Sequence, residues 1–255
     1  MSATAEAINN TSRDETVELS HVLEPEPPRP ANGAGLDAQA IAELNARYAP
    51  LNFEQRLRQL YEDFAPDKVL VTSSFAATSA YFLHIIKSIR ADQRIAFIDT
   101  GFHFRETLLY KEYLTKLLDL DVFSLQAEDW KHEFTVNDQT WDKNPDFCCS
   151  INKVEPLEAV KPDYHVWISS LMGWQTDDRA DMEVFEERRG IIKFNPMIDV
   201  SKDERDAYIS EHKLPFHPLV AHGFSSIGCT HCTVKGEGRS GRWAGKPKTE
   251  CGLHL

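Results

Sequence analysis

The chain has 255 residues, and its 28 basic and 40 acidic side chains give a formal net charge of −12 at pH 7. This length allows a sizeable apolar core, whereas no run approaches the roughly 18 apolar residues that a membrane helix needs. The acidic balance disfavours nucleic-acid binding, which depends on Lys and Arg neutralising phosphates. Since the first residues lack the basic start and apolar run of a secretory signal, we expect a cytoplasmic protein.

Residues 1–36 are predicted to form a disordered extension. They contain six acidic and two basic residues, and four prolines fall within the six positions 25–30. Few apolar side chains are available there to offset the entropy that ordering would cost. We therefore place the start of the folded domain at residue 37.

From residue 37 onward, helical and strand patterns alternate. Helices are predicted from Asp37 through Tyr48 and over 53–64, 76–90, 105–118 and 203–211. Short apolar strands are predicted over 68–72, 94–99, 121–125, 165–168 and 191–194. Strands that alternate with helices need crossover connections, so we predict an α/β fold: a single domain over 37–232 with a mainly parallel sheet flanked by helices.

The last 23 residues, 233–255, differ in composition from the domain before them. They hold five of the twelve glycines, five basic residues and two acidic ones, with few apolar side chains. This composition predicts a flexible, basic tail.

Small polar residues follow two of the predicted strands. Ser73 and Ser74 come after the first strand, and Thr100 and Gly101 come after the second. Ligands of open α/β sheets bind outside the carboxyl ends of the strands, where helix-start amides and hydroxyls suit an anion. These four residues are candidate substrate contacts, although Ser and Thr are also ordinary helix caps and Thr100-Gly101 is an ordinary turn.

The five cysteines form an adjacent pair, a C-x-x-C pair and one remaining residue. An odd number in a reducing compartment argues against a disulfide framework. Cys148, Cys149, Cys229 and Cys232 would place four thiolates around one centre, which suits zinc or an iron–sulfur cluster. Adjacent cysteines are awkward for zinc, whose ligands are usually spaced further apart. Four buried, unligated thiols are the less favoured interpretation.

The fifth cysteine, Cys251, lies close to the end of the chain. It follows a basic stretch that includes Arg239 and Arg242, and His254 lies three positions further on. Cationic neighbours favour the nucleophilic thiolate. The tail offers Cys251 no second cysteine, so a bond that it forms would have to be broken by an external thiol. The alternative is an incidental exposed cysteine.

Together these motifs resemble the assimilatory sulfonucleotide reductases, and within them the iron–sulfur branch, the adenosine 5′-phosphosulfate (APS) reductases. The matching strings are CCSINKVEPL at 148–157, SIGCTHCT at 226–233, GRW at 241–243 and KTECGLH at 248–254. The likeness covers about residue 50 to the end, and the cysteine motifs combined with the ECGLH ending are highly specific. The resemblance implies an adenine nucleotide α-hydrolase-like fold.

The resemblance also implies a reaction and its residues. The Cys251 thiolate attacks the sulfur of APS, AMP leaves, and thioredoxin or a similar dithiol releases sulfite from the Cys251 S-sulfonate. The four other cysteines bind a [4Fe–4S] cluster, and the tail glycines let Cys251 swing between substrate and thioredoxin. Substrate contacts map onto Lys153, Arg239, Arg242 and His254, and Arg179 remains from a later loop. Relatives are often homo-oligomeric.

Three loops depart from the family pattern. Ala76-Ala77 follow Ser74-Phe75 where the family usually has a glycine and an acidic pair, Asn152 stands where an Arg follows the double cysteine, and Met172-Gly173 replace an arginine pair. These departures concern the contacts to adenosine and leave the residues of the sulfur chemistry in place.

Three alternatives to an APS reductase stay open at this point. The first is a reductase of the 3′-phosphorylated nucleotide (PAPS) or of both nucleotides, although PAPS-specific enzymes generally lack the four cluster cysteines. The second is a non-catalytic nucleotide-binding module with a structural zinc site. The third and least favoured is an ATP-cleaving thiolation enzyme, because its SGGxDS loop is not matched at 73–77.

Overall fold

The computed structural model describes residues 38–254, so the predicted disordered extension 1–36 lies outside the described residues. Helices α1–α10 span Ala38–Tyr48, Phe53–Asp63, Ser79–Ile89, Arg105–Leu117, Asp129–Asn137, Thr140–Lys143, Pro145–Cys149, Glu155–Val160, Asp177–Ala180 and Lys202–Glu211. Strands β1–β6 span Val69–Thr72, Arg94–Ile98, Asp121–Leu125, Val166–Ile168, Phe185–Arg188 and Ile191–Phe194. Within 38–254, no helix has the length and apolar character required to cross a membrane.

The strands form one sheet in the order β3-β2-β1-β4-β6-β5. All neighbouring pairs are parallel except β5 and β6, which are antiparallel. The sequence patterns did not predict β5. Its connection to β6 is the two-residue turn Arg189-Gly190, in which both residues have positive φ (51° and 80°), as a tight hairpin requires.

The two faces of the sheet bury alternate side chains of the same strands. One face carries Val71, Phe97 and Ile168 and packs against residues of α1–α4 and α10. The opposite face carries Leu70, Ala96, Leu125, Trp167 and Ile191 and packs against Leu157 of α8 and Leu253 near the end of the chain. Helices therefore cover the first face, whereas the C-terminal segment helps to cover the second.

Helix α3 begins at Ser79, three residues later than the sequence pattern predicts. Phe75 is fully buried and has a φ of 48°, so the chain makes a turn after β1 before the helix starts. A left-handed φ is costly for an aromatic residue. At this position the Phe75 ring packs against the Phe97 ring, with 5.6 Å between the ring centroids. The loop 73–78 is thereby left open at the carboxyl end of β1.

Residues 233–254 pack onto the domain. The Trp243 amide donates to the Cys232 carbonyl at 3.0 Å, and the Gly236 amide donates to the Gly223 carbonyl at 3.0 Å. The Trp243 side chain is buried. These contacts cross the predicted boundary between 232 and 233, and they dock the tail on the domain. The flexibility of the tail and the position of the boundary stay predictions.

Candidate active site

A cavity of about 490 Å³ opens at the carboxyl ends of β1, β2 and β4. Nine of the ten residues predicted as nucleophile or substrate contacts line it: Ser73, Ser74, Thr100, Lys153, Arg179, Arg239, Arg242, Cys251 and His254. The tenth, Gly101, lies outside this lining. It has a φ of 70°, and a Cβ there would stand 2.4 Å from the His132 ring, so the position requires glycine for close packing.

One part of the cavity lining, the strand-end wall, is formed by Thr72, Ser73, Ser74, Thr100 and Ser169. Its side chains are neutral, and several already have hydrogen-bond partners. The Ser73 hydroxyl accepts from the Phe75 amide at 3.2 Å, and the Ser169 hydroxyl donates to Asn195 at 3.1 Å. The strand-end wall therefore offers shape and a few hydroxyls to a ligand.

A second part of the cavity lining, the tail-side wall, is formed by Lys153, Arg239, Arg242 and Cys251. Lys153 lies on a π-helical turn, Ser150–Val154, that joins α7 to α8. Its ammonium nitrogen lies 3.9 Å from the Cys149 sulfur. Burial alone would lower the pKa of Lys153, but the thiols of Cys229, Cys149 and Cys251 raise it above its usual value. Lys153 is therefore a fixed positive charge beside the sulfur atoms.

The two arginines of the tail-side wall have buried Nε atoms that find no hydrogen-bond partner among residues 38–254. Arg242 lies over the Trp243 ring at 4.4 Å and against Gly228, where a Cβ would stand 2.4 Å from its guanidinium. Burial lowers the pKa of Arg239 to about 10, while Glu250 acts in the opposite direction. Unpartnered buried donors of this kind favour an anionic ligand.

His254 is seated deep in the cavity. Its ring stacks on Trp167 with centroids 5.2 Å apart and planes 9° apart. Its carbonyl accepts a long hydrogen bond from the Lys193 ammonium at 3.5 Å. Burial, followed by the nearby charges of Lys193 and Arg179, lowers its pKa well below the usual value, so the ring is neutral at pH 7.

Arg179 lines the cavity but pairs with another protein group. Its Nε and Nη2 donate to the two carboxylate oxygens of Glu250 at 2.7 and 2.9 Å. Both side chains are buried. The sequence interpretation missed Glu250, although an acidic residue directly before Cys251 in a basic stretch was an available signal.

Cys148, Cys149, Cys229 and Cys232 are brought together around a second, small cavity, whose walls include Phe102, Trp141 and His231. The indole of Trp141 stacks on the His231 ring with centroids 4.1 Å apart. All four thiols are buried and free of disulfides. The structure thus assembles the predicted four-cysteine set in one apolar pocket.

The thiols of this pocket influence one another. Burial, and then Cys149, Cys229 and Cys232, raise the pKa of the Cys148 thiol to about 12. Burial also raises the pKa of Cys149 to about 11, against the effect of Lys153. Four soft sulfur donors next to aromatic side chains fit an iron–sulfur cluster. Within 38–254, no three His, Cys, Asp or Glu side chains converge as ligands of a single metal ion.

Asn152, which departs from the family pattern, lies at the edge of this pocket. Its side-chain amide donates to the Cys148 carbonyl and to the Thr135 hydroxyl, both at 3.1 Å. Its carbonyl oxygen lies 2.9 Å from the His132 ring nitrogen. The residue therefore supports the backbone of the double cysteine and does not line the larger cavity.

Comparison with known sequences supports the family suggested by the motifs. Residues 68–235 match the family model of the phosphoadenosine phosphosulfate reductase domain. An adenosine 5′-phosphosulfate reductase of a Chelativorans species is 40% identical over 230 residues, covering 86% of this chain and 93% of the relative. A phosphoadenosine 5′-phosphosulfate reductase of Gloeobacter violaceus is 35% identical over 231 residues, covering 86% and 95% respectively.

Solved structures agree with the fold. The phosphoadenylyl-sulfate (PAPS) reductase of Candida auris, in a phosphate complex, superimposes with a TM-score of 0.65 at 25% identity, covering 79% of this chain and all of that one. An FMN adenylyltransferase of Candida glabrata shares the fold alone, with a TM-score of 0.52 at 12% identity, covering 84% of this chain and 70% of that one. The predicted α/β fold and family are confirmed. The chain belongs to the phosphoadenosine phosphosulfate reductase family, whose members are oxidoreductases acting on sulfonucleotides.

Proposed function

We propose that the protein reduces APS to sulfite and AMP in assimilatory sulfate reduction, the route to cysteine, using thioredoxin or a similar dithiol. One observation carries this proposal: Cys251 shares the tail-side wall with Lys153, Arg239 and Arg242, directly beside the four-cysteine pocket. A nucleophilic sulfur surrounded by cations suits attack on an anionic, activated sulfate. The neutral strand-end wall then faces the nucleoside.

In the first step, the Cys251 thiolate attacks the sulfur atom of the sulfate group. The bond between that sulfur and the bridging oxygen breaks, and AMP leaves with the electron pair. The product on the enzyme is a Cys251 S-sulfonate. Charges at Lys153, Arg239 and Arg242 stabilise the negative charge that accumulates on the bridging and phosphate oxygens.

In the second step, one thiolate of the dithiol attacks the Cys251 sulfur, and sulfite leaves with the electrons of the S–S bond. The second thiol resolves the mixed disulfide and returns Cys251 as a thiolate. The dithiol is oxidised to a disulfide, and the sulfate sulfur is reduced by two electrons. Cys251 must leave the cavity for this exchange, and Gly252 beside it has a φ of 80°, a conformation that favours glycine.

We further propose that the four-cysteine pocket binds a [4Fe–4S] cluster. Cys148, Cys149, Cys229 and Cys232 would hold it, and the chemistry that a bound cluster supplies is electrostatic tuning of the site. Lys153 contacts Cys149 and also lines the cavity, so it joins the two sites. Iron analysis separates this proposal from the zinc alternative: about four iron atoms per chain are expected, and stoichiometric zinc without iron would contradict it.

The substrate preference rests on the cysteines and on the relatives. The four-cysteine set favours APS, and the Chelativorans relative carries that name. The Gloeobacter relative is named for PAPS, so a PAPS reductase or an enzyme of dual specificity is the second candidate. Comparison of kcat/KM for the two purified nucleotides distinguishes them.

The function is tested anaerobically with full-length protein of measured iron content. Without a dithiol, APS is expected to yield one equivalent of AMP and a sulfonate on the peptide that contains Cys251. Addition of reduced thioredoxin is expected to release sulfite and to support turnover. Sulfite release without any adduct at Cys251 would contradict the mechanism.

We also propose a cytoplasmic location, because five free cysteines suit a reducing compartment. Homo-oligomerisation is a further proposal, based on the family. Light scattering of the purified protein measures the oligomeric state.

A further inference from the structure

The residue before the nucleophile is buried in the docked tail. Glu250 is 4% exposed, although its neighbour Thr249 is exposed. Besides the two bonds from Arg179, its carboxylate accepts from the Arg239 Nη2 at 3.1 Å and from the Thr176 hydroxyl at 3.3 Å. A carboxylate buried with two guanidinium groups is an expensive arrangement unless all its partners stay in place.

The guanidinium of Arg179 has all three nitrogens engaged. Nε and Nη2 hold Glu250, and Nη1 donates to the side-chain oxygen of Gln175. Three of its five N–H donors are therefore engaged while the tail is docked, and the remaining two are the second hydrogens of Nη1 and Nη2. This geometry points to a role for Arg179 in holding the tail, whereas the family resemblance implied direct contact with the substrate.

Arg239 is placed differently. Its Nη2 donates to Glu250 and to the Thr249 carbonyl, at 3.1 and 2.7 Å, but its buried Nε has no partner. One guanidinium therefore holds the tail and also lines the cavity. An anion that binds Arg239 would therefore contact a side chain that also holds the docked tail.

We infer that Glu250 and Arg179 form a latch that positions Cys251 in the cavity, with Arg239 linking this latch to the substrate anion. Glu250 and Arg179 are positioning residues, since they act on the reaction through the adjacent Cys251. The inference rests on the proposed role of Cys251 as nucleophile. Loss of the carboxylate charge leaves the buried Arg179 and the partly buried Arg239 without their anionic partner, so the docked tail loses an anchor directly before Cys251.

The chain offers a matched control in Asp178. Its carboxylate also contacts the tail, accepting from the Thr249 hydroxyl at 3.2 Å, but both residues are exposed. Exposed polar contacts of this kind contribute little to stability. Asp178→Asn and Glu250→Gln therefore make the same chemical change at two contacts of the same tail, one exposed and one buried.

The latch is tested by the rate at which N-ethylmaleimide alkylates Cys251 in the full-length, iron-containing protein. Trypsin cuts after Lys248, so mass spectrometry of peptide 249–255 reports Cys251 separately from the four buried cysteines. For Glu250→Gln we expect a rate increase of about tenfold, which corresponds to ~1.4 kcal/mol lost from docking. For Asp178→Asn we expect a rate within about twofold of the wild type.

An unchanged alkylation rate in Glu250→Gln, or an equal increase in Asp178→Asn, would overturn the latch. Should Glu250→Gln lose its iron or its fold, Arg179→Lys provides a second test, because lysine keeps the charge but loses the bidentate geometry. Its Cys251 is expected to react faster than that of the wild type, and an unchanged rate would again overturn the latch.

A kinetic readout separates positioning from substrate binding at Arg179. If Arg179 acts on the tail, Arg179→Lys lowers kcat for sulfonate formation and leaves KM for APS within about twofold. A rise in KM with unchanged kcat would show that Arg179 binds substrate and would overturn the inference. The alkylation assay needs no turnover, so a failure of the proposed reaction and a failure of the latch give different results.

Discussion

The strand-end wall and the tail-side wall of the same cavity differ in charge and in hydrogen bonding. Ser73 and Ser169 of the strand-end wall are neutral and already hydrogen-bonded within the domain. Arg239 and Arg242 of the tail-side wall carry positive charge and keep buried Nε atoms without partners. The two walls therefore offer a ligand different interactions: positive charge at the tail-side wall and neutral hydroxyls at the strand-end wall.

This difference indicates how the two ends of a sulfonucleotide would be recognised. A charged phosphosulfate gains strong, charge-assisted hydrogen bonds at the tail-side wall, whereas a nucleoside at the strand-end wall depends on shape and on single neutral bonds. Substitutions in the tail-side wall should therefore affect the reaction more than substitutions in the strand-end wall.

Replacement of the proposed nucleophile is expected to have the largest effect. In Cys251→Ser, sulfite release should fall to background and no sulfonate should form, because a neutral hydroxyl is a far weaker nucleophile than a thiolate. An anaerobic sulfite assay measures this. Cys148→Ser is the complementary variant: it should lose iron, whereas Cys251→Ser should keep it. Full activity in Cys251→Ser would refute its role.

Removal of one charge from the tail-side wall is expected to have the second largest effect. In Lys153→Met, kcat/KM should fall by about 10²–10³-fold, because a fixed cation beside the reacting sulfur is lost. Steady-state kinetics with APS measures the change. Lys116→Met, at an exposed position of α4, is the control and should behave like the wild type. A fall of less than threefold in Lys153→Met would remove the distinction between the walls.

Removal of one hydroxyl from the strand-end wall is expected to have a small effect. Ser74 is exposed in the cavity, and its replacement by Ala should raise KM by about fivefold, the value of one neutral hydrogen bond. The change in kcat should be negligible. An effect as large as that of Lys153→Met would show that the strand-end wall also holds developing charge.

The stability that His217 contributes behind the strand-end wall should depend on pH. His217 is buried, its amide donates to the Ala77 carbonyl, and burial lowers the pKa of its ring to about 4, with Glu106 opposing. Between pH 6.5 and 4 the unfolded chain binds a proton at this position that the folded chain does not. The free energy of unfolding should therefore fall as the pH falls through this range.

Urea denaturation at pH 7 and pH 5 measures this dependence, with His217→Gln as the comparison. Other histidines also have lowered pKa values, so the quantity of interest is the difference between the variant and the wild type. The loss of stability on acidification should be smaller in His217→Gln. The same loss in both proteins would contradict the assignment.

Elements with local, periodic patterns could be predicted from the sequence. Strands 121–125 and 191–194 match the structure at both ends, and helix α10, predicted over 203–211, begins one residue earlier at Lys202. Apolar runs and helix caps depend on neighbours within a few residues, so the sequence shows them directly. The cysteine spacing likewise identified the four residues that the structure brings to one pocket.

Tertiary structure alone decided which distant residues meet. Arg179 and Glu250 are 71 positions apart, and neither local sequence indicates that they pair in the protein interior. Leu253 was assigned to a flexible tail, yet it packs beneath the sheet with Trp167. An ion pair or a core contact forms only where the folded chain brings two groups together. Local periodicity depends on neighbouring residues, so it does not show which distant residues will be in contact.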